Sequence, residues 1–301
     1  APPLKVIATR SYGAEVILSG ETFDDAFNAA LEYQTKTGAT FVHPFNDFYI
    51  IAGQGTIGLE IFDQFRDVTD VVVPIGGGGL ISGMAIALKQ LNPKIRIIGV
   101  EPEGAQSMKK SIEAGKPELL NSVDTIADGI AVKSPGNLTF EATNQWVDEL
   151  LVVNDAEIAR TAYLLLQRAK ILAEPAGVAA MAAVLYKKFD FSGRKVVPVI
   201  SGGNINMSIL EQILEKGVMD EGYRARISVL IPDQAGKLKS IITVLEQMKA
   251  NIHEISHERS ITSVPIGYVE TTLTFNLQDT SQLPTILAEL EKKGMHYQVL
   301  H

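Results

Sequence analysis

The chain alternates between short, dense runs of β-branched apolar residues and longer stretches in which apolar residues return every three or four positions. Val71-Val72-Val73-Pro74-Ile75 is the densest run, and its lack of polar alternation marks a strand buried on both faces, as in a parallel sheet. Similar runs predict strands at 15–18, 40–42, 96–100, 151–153 and 196–200. Between them the 3.6-residue period predicts helices. A short one opens the chain after Ala1-Pro2 and closes at Gly13. A second is capped by Thr22, carries Phe23, Ala26, Phe27, Ala30 and Leu31 on one face and stops at Gly38. Others are predicted from Gly53 through Phe65, after Ser82, over 156–170 and 175–188, and around 209–215. Strand–helix alternation of this kind implies a parallel, helix-covered sheet.

Near residues 217–225 the pattern changes. Ile227, Val229 and Ile231 alternate as a strand, and a helix follows with Leu238, Ile241, Ile242, Leu245 and Met248 on one face. Strands at 252–255 and 267–277, a helix carrying Leu283, Ile286, Leu287 and Leu290, and a strand at 295–300 complete a βαββαβ order. That order makes a compact ferredoxin-like domain. The expected division is 1–52, 53–217 and 225–301.

Two turns carry candidate chemistry. Gly76-Gly77-Gly78-Gly79 followed by Leu80 joins the buried strand to a helix, and without Cβ atoms several backbone N–H groups can point at one spot beside a helix N-terminus. Ser201-Gly202-Gly203-Asn204 stands at the carboxyl end of another strand, where ligands collect in open α/β sheets. A glycine-rich linker is the bland alternative for the first, and an ordinary tight βα turn for the second.

Composition narrows the function class. With 301 residues, 46% of them apolar and 21% charged, the chain has material for two packed domains. A net charge of −8 without a Lys/Arg run argues against nucleic acid or an anionic membrane as partner. No cysteine is present, which removes thiol nucleophiles and Cys-ligated zinc and agrees with a reducing cytoplasm. No membrane-length apolar run or signal-peptide pattern occurs, so a soluble cytoplasmic protein acting on small molecules is expected.

The ordered set of short motifs resembles the threonine dehydratase (threonine ammonia-lyase) family of fold-type II pyridoxal-phosphate enzymes. The set comprises Lys5-Val6-Ile7-Ala8-Thr9, Tyr12-Gly13-Ala14-Glu15-Val16, His43-Pro44-Phe45, Ile51-Ala52-Gly53-Gln54-Gly55-Thr56, Gly76 to Gly79, Val100-Glu101-Pro102, Ala127-Asp128-Gly129, Glu174-Pro175-Ala176-Gly177 and Ser201-Gly202-Gly203-Asn204. The last eighty residues, with Asp233-x-x-Gly236-x-Leu238, resemble an ACT domain, an amino-acid-sensing module. The resemblance implies an α/β fold of the tryptophan synthase β type, parallel sheets with helices on both faces, N-terminally incomplete, plus the ACT domain. It implies that Gly76, Gly77, Gly78, Gly79 and Leu80 hold the phosphate of pyridoxal 5′-phosphate. Ser201 then faces the pyridine nitrogen and Glu174 stands beside the ring; Glu174 reads equally well as a dipole partner at the start of a helix. A neutral hydroxyl does not stabilise a pyridinium, which makes the ring a weaker electron sink and favours β-elimination over transamination. Glu101 and Ala105 match two ligands of a cation site in some relatives, but the third position is Ser107, so a monovalent cation is expected rather than a divalent one. Gly236, Lys237 and Leu238 are the expected effector contacts, for isoleucine or valine, in a homo-oligomer of two or four chains.

One departure from the family pattern is large. The family's Schiff-base lysine lies in a Ser-Phe-Lys-x-Arg-Gly-type segment and its substrate carboxylate in a Ser-x-Gly-Asn-His-type loop, and neither occurs in these 301 residues. Lys5, Lys133 and Lys170 stand in the wrong contexts to replace that lysine. No catalytic residue is assigned, and the chain as written is expected not to turn over L-threonine or L-serine. Truncation, a catalytically dead amino-acid-binding protein and a two-piece enzyme are the three readings. Serine racemisation on the same fold is a further alternative.

Overall fold

The computed structural model describes residues 3–21, 23–259 and 264–300. Thr22, the side chain of Phe23, and Ala1-Pro2 lie outside the described residues, so the expected cap of the second helix and the opening dipeptide fall there.

Four parallel strands, β1 (Asp70–Pro74), β2 (Arg96–Pro102), β3 (Glu149–Val153) and β4 (Val196–Pro198), form a sheet in the order β3-β2-β1-β4. Every residue of β1 is buried, because it has a strand on each side and helices on each face. Its side chains divide between two cores. Val72, with Ile98 and Val100 of β2, packs with Ile158 and Ala162 of α7 (Asp155–Leu164), Val178 and Ala182 of α8 (Pro175–Leu185) and Ile213 of α9 (Met207–Asp220). Val71, Val73 and Ile75 pack with Ile81, Met84 and Leu88 of α4 (Gly79–Leu91), Met108 of α5 (Ser107–Ala114) and Phe140 of α6 (Asn137–Trp146). This is the helix-covered parallel sheet that the sequence pattern implies.

The departures are local. Helix α3 (Phe48–Gln64) begins five residues before Gly53, because Asp47 caps it through the N–H groups of Tyr49 and Ile50 at 2.8 and 3.1 Å. Helix α4 begins at Gly79, not after Ser82, whose hydroxyl instead donates to the Thr139 carbonyl at 3.3 Å. Helix α7 ends in a π-helical turn at Leu165–Ala169. Helices α1 (Pro3–Ser11) and α2 (Phe23–Thr37) match expectation, but the expected strands at 15–18 and 40–42 pair with no strand among the described residues. Both are short β-branched or aromatic apolar runs, and such a run becomes a strand only where a neighbour supplies the ladder.

The second sheet is antiparallel, in the order β6-β7-β5-β8, from β5 (Arg224–Pro232), β6 (Asn251–Glu258), β7 (Tyr268–Asn276) and β8 (His296–Leu300). Ile227, Val229, Leu273 and Phe275 form its core with Ile241 and Leu245 of α10 (Lys237–Gln247) and Ile286 and Leu290 of α11 (Gln282–Lys292). Glu221, at the end of α9, accepts from Arg160 at 3.0 Å and from Gln167 in the π turn at 2.7 Å, tying the start of this unit to the first.

Candidate functional site

The two glycine turns leave the carboxyl ends of neighbouring strands. Val72 of β1 pairs with Pro198 of β4, and the Val199 N–H continues the ladder to the Val72 carbonyl at 2.9 Å, so both turns start from the same edge of the sheet. Gly78 has φ +91°, a left-handed conformation that reverses the chain directly into α4. The N–H groups of Gly76, Gly77, Gly78, Gly79 and Leu80 meet no acceptor among the described residues, and Ser82 is the first to donate back, to the Gly78 carbonyl at 3.0 Å. Unpaired donors at the positive end of a thirteen-residue helix suit a phosphate.

A third turn joins these two. A Cβ on Gly76 would lie 2.9 Å from the Ile130 Cα, and one on Gly129 would lie 3.0 Å from the Ala176 Cβ and 3.5 Å from the Glu174 carboxylate. The 3-10 turn Asp128–Ile130 therefore stands between the first glycine turn and the start of α8. Glu174 donates its N–H to the Gly202 carbonyl at 3.0 Å, and Ser201 donates its N–H to Gly177 at 3.3 Å. Glu174 precedes Pro175 at the N-cap of α8, but its carboxylate caps nothing there and lies against Gly202 and Gly129. Burial first and the negative Asp128 second raise its pKa, while Lys5, 4.0 Å from Asp128, acts the other way. Ser201 itself is exposed, as a residue that meets a ligand must be.

Phe45 covers Gly77 and Gly79 from the other side, with the His43 ring packed edge-on against it at 4.8 Å. The His43 Nδ1 accepts from the N–H groups of Phe45 and Asn46 at 3.2 and 2.8 Å, and burial lowers its pKa against the opposing charge of Asp47. The Phe45 ring lies so close to Gly77 that any Cβ there would enter it. Sequence reading placed His43-Pro44-Phe45 in a motif without giving it this role.

Glu101 is almost fully buried, and its two oxygens accept from Met108 and Lys109 N–H at 2.8 and 2.9 Å, capping α5. The hydroxyl of Ser107 beside it is buried without a partner among the described residues, and Ala105 donates to the Pro102 carbonyl at 2.9 Å. Burial pushes the Glu101 carboxyl from 4.5 up to about 7, against the two N–H groups and the Lys109 charge. An acid whose folded pKa is raised stabilises the fold below its unfolded pKa and loses that contribution as pH rises through the folded one. Stability is therefore expected to fall as pH rises from about 4.5 to about 7, by up to about 3 kcal/mol. Urea midpoints at the two ends of that window check it: Glu101→Gln removes most of the difference, and a variant with an unchanged slope contradicts the assignment.

In the second unit Gly236, with φ +88°, is the N-cap of α10; Lys237 is exposed and Leu238 packs on the core. Arg259 holds the neighbouring Asp233 by two bonds of 2.7 and 3.0 Å, which lowers the Asp233 pKa. Gly236, Lys237 and Leu238 thus belong to the antiparallel sheet unit, and the structure does not bring them into the cluster formed by Gly76, Glu174 and Ser201.

Residues 1–202 match the family model for pyridoxal-phosphate dependent enzymes, and residues 219–293 match that for the ACT domain. The L-threonine ammonia-lyase of Thermotoga maritima is 46% identical over 300 residues, covering all of this chain and 75% of that protein. The chain belongs to the pyridoxal-phosphate-dependent enzymes. It falls with the threonine ammonia-lyases of fold type II, a lyase by family, and carries an ACT domain. The processed form of threonine deaminase isoform 2 from Solanum lycopersicum superposes with a TM-score of 0.68 at 37% identity, over 73% of this chain and 61% of that one. Maize serine racemase superposes with a TM-score of 0.66 at 36% identity, over 73% and 68%. The residues present fit the family cofactor: a ring of unpaired N–H donors, backed by glycines whose Cβ atoms would collide, stands beside a free hydroxyl at the next strand end. No helix among the described residues is long and apolar enough to cross a membrane.

Proposed function

We propose that these residues are the cofactor-binding and regulatory parts of a threonine ammonia-lyase, converting L-threonine, and L-serine more weakly, to a 2-oxo acid and ammonia. The observation that carries the reading is the junction of the two glycine turns through Asp128–Ile130 at the ends of β1 and β4. In it the N–H groups of Gly76, Gly77, Gly78, Gly79 and Leu80 hold a phosphate, the Ser201 hydroxyl meets the pyridine nitrogen, and Glu174 lines the ring edge. Bound there, pyridoxal phosphate supplies the electron sink that acidifies the substrate α-carbon. The Ser201 hydroxyl, being neutral, would not stabilise a protonated ring nitrogen, and His43, accepting from the Phe45 and Asn46 N–H groups, holds the segment that places the Phe45 ring over the turn. Glu101 and the Ala105 carbonyl, with the unpartnered Ser107 hydroxyl beside them, are the place for a monovalent cation. The domain division is 1–52, 53–217 and 225–301, in a cytoplasmic homo-oligomer that engages neither nucleic acid nor membrane.

These 301 residues contain no Schiff-base lysine segment, so the polypeptide on its own is expected to form no 2-oxo acid from L-threonine with added pyridoxal phosphate. Turnover under those conditions overturns that expectation. Joining a family segment bearing the lysine and the Ser-x-Gly-Asn-His-type loop ahead of Ala1 is expected to give threonine-dependent 2-oxo acid. Conversion of L-serine to its mirror image by the joined protein supports a racemase instead, and neither reaction supports a purely regulatory protein. For the ACT unit, calorimetry of the chain with isoleucine, valine and threonine is expected to show binding that Gly236→Val weakens by about tenfold or more, since a β-branched residue resists φ +88°. No heat with any of the three overturns the sensor role.

A further inference from the structure

We propose that Thr139 is a positioning residue that sets the anion-binding geometry of the glycine turn; this rests on the reading of that turn as a phosphate site. Thr139 is fully buried in the first turn of α6. Its hydroxyl donates to the Gly77 carbonyl at 2.6 Å, the shorter of two contacts, the other being the Gly136 carbonyl at 3.1 Å. The same oxygen accepts from the Gly136 N–H at 3.1 Å. The backbone carbonyl of Thr139 accepts from Ser82 in the first turn of α4, so one residue grips both ends of the turn. Asn46 holds this corner in place, its Oδ1 accepting from the Leu138 N–H at 3.0 Å.

The consequence follows from the peptide plane. In a trans peptide the C=O and the following N–H point in opposite directions, and the described chain has no cis bond. Pinning the Gly77 carbonyl toward α6 therefore turns the Gly78 N–H away from α6, as a free donor. Four consecutive glycines have little conformational preference of their own, and without that strut the 77–78 peptide is free to flip and offer an anion a carbonyl oxygen in place of a donor.

The test is calorimetry of the full chain with pyridoxine 5′-phosphate, which carries the phosphate but no aldehyde to react with surface lysines, and with inorganic phosphate as competitor. Thr139→Val, which keeps the volume and removes the hydroxyl, is expected to weaken pyridoxine 5′-phosphate by about tenfold, the effect of one hydrogen bond to a charged group. Thr139→Ser, which keeps the hydroxyl and loses packing, is expected to stay within about twofold. Should the valine variant fail to fold, the same comparison is read between the serine and alanine variants. Affinity that follows the hydroxyl supports the proposal. Equal affinity in all variants, or a serine variant as weak as those lacking the hydroxyl, overturns it while leaving the phosphate reading intact. No binding of either ligand by the unsubstituted chain overturns both.

Discussion

Replacing Asp70 by asparagine is expected to lower the free energy of unfolding by about 3 kcal/mol, the low end of the cost of breaking a buried ion pair. Asp70 opens β1 with no exposed surface, and both of its oxygens are engaged. Arg96 Nε donates to one at 2.6 Å, and Thr69 and Arg194 donate to the other at 2.6 and 3.3 Å. The Arg96 guanidinium also lies 4.4 Å from the centre of the Phe189 ring. Asp70 pairs in register with Arg96 of β2 and Val196 of β4, so one carboxylate clamps the starts of three adjacent strands. Asparagine has the same size but turns N–H groups toward a guanidinium, leaving two arginines without their counter-charge. Urea unfolding reads the loss as a lower midpoint at an unchanged slope. A loss under about 1 kcal/mol would mean that the cluster behaves as a surface pair. The clamp sits at the end of the sheet opposite the glycine turns, so variant chains that remain folded should bind pyridoxine 5′-phosphate normally.

Gly83→Ala is expected to destabilise the chain by about 2–3 kcal/mol and to weaken cofactor binding as well. Helices α3 and α4 approach closely where Gly55 meets Gly83 and Gly58 meets Met84, and a Cβ on Gly83 would enter the Ile51 carbonyl oxygen and lie 2.6 Å from the Gly55 nitrogen. Both obstacles are backbone, so no rotamer change relieves the clash and the helices must separate. Helix α4 starts in the glycine turn, and its displacement moves the free N–H groups. Gly53→Ala is the control: nothing lies within 4 Å of a Cβ there, and alanine in mid-helix is expected to be neutral or stabilising by up to about 1 kcal/mol. Thermal midpoints and calorimetry of the two variants separate packing from helix propensity, and equal effects would contradict the close approach.

The parts of this molecule that were legible in the sequence are those whose cause is local. A run of valines followed by glycines is a buried strand and a reversal because of its own residues, and strict alternation announces the second sheet in the same way. The family could be read from the order of the short motifs along the chain, and residues 1–202 match its model. What escaped depends on partners far along the chain. Ser82 looks like a cap because serine caps helices, yet its hydroxyl goes to Thr139, 57 residues away. Thr139 itself offers no signal, since its acceptor Gly77 is 62 residues distant. Helix α5 is only eight residues long, and its start is set by Glu101 from the end of a strand. The segments at 15–18 and 40–42 show the converse error, strand propensity taken as pairing.

The central claim is that one pyridoxal phosphate lies across the two glycine turns, its phosphate on the N–H groups after β1 and its ring nitrogen at Ser201 after β4. Amide hydrogen exchange of the 301-residue chain with and without pyridoxal phosphate tests it most directly. Slower exchange is predicted in both segments together, at 76–81 and at 201–204, with the ACT unit unchanged. Protection of one turn without the other, or of neither while the cofactor is bound, would contradict it.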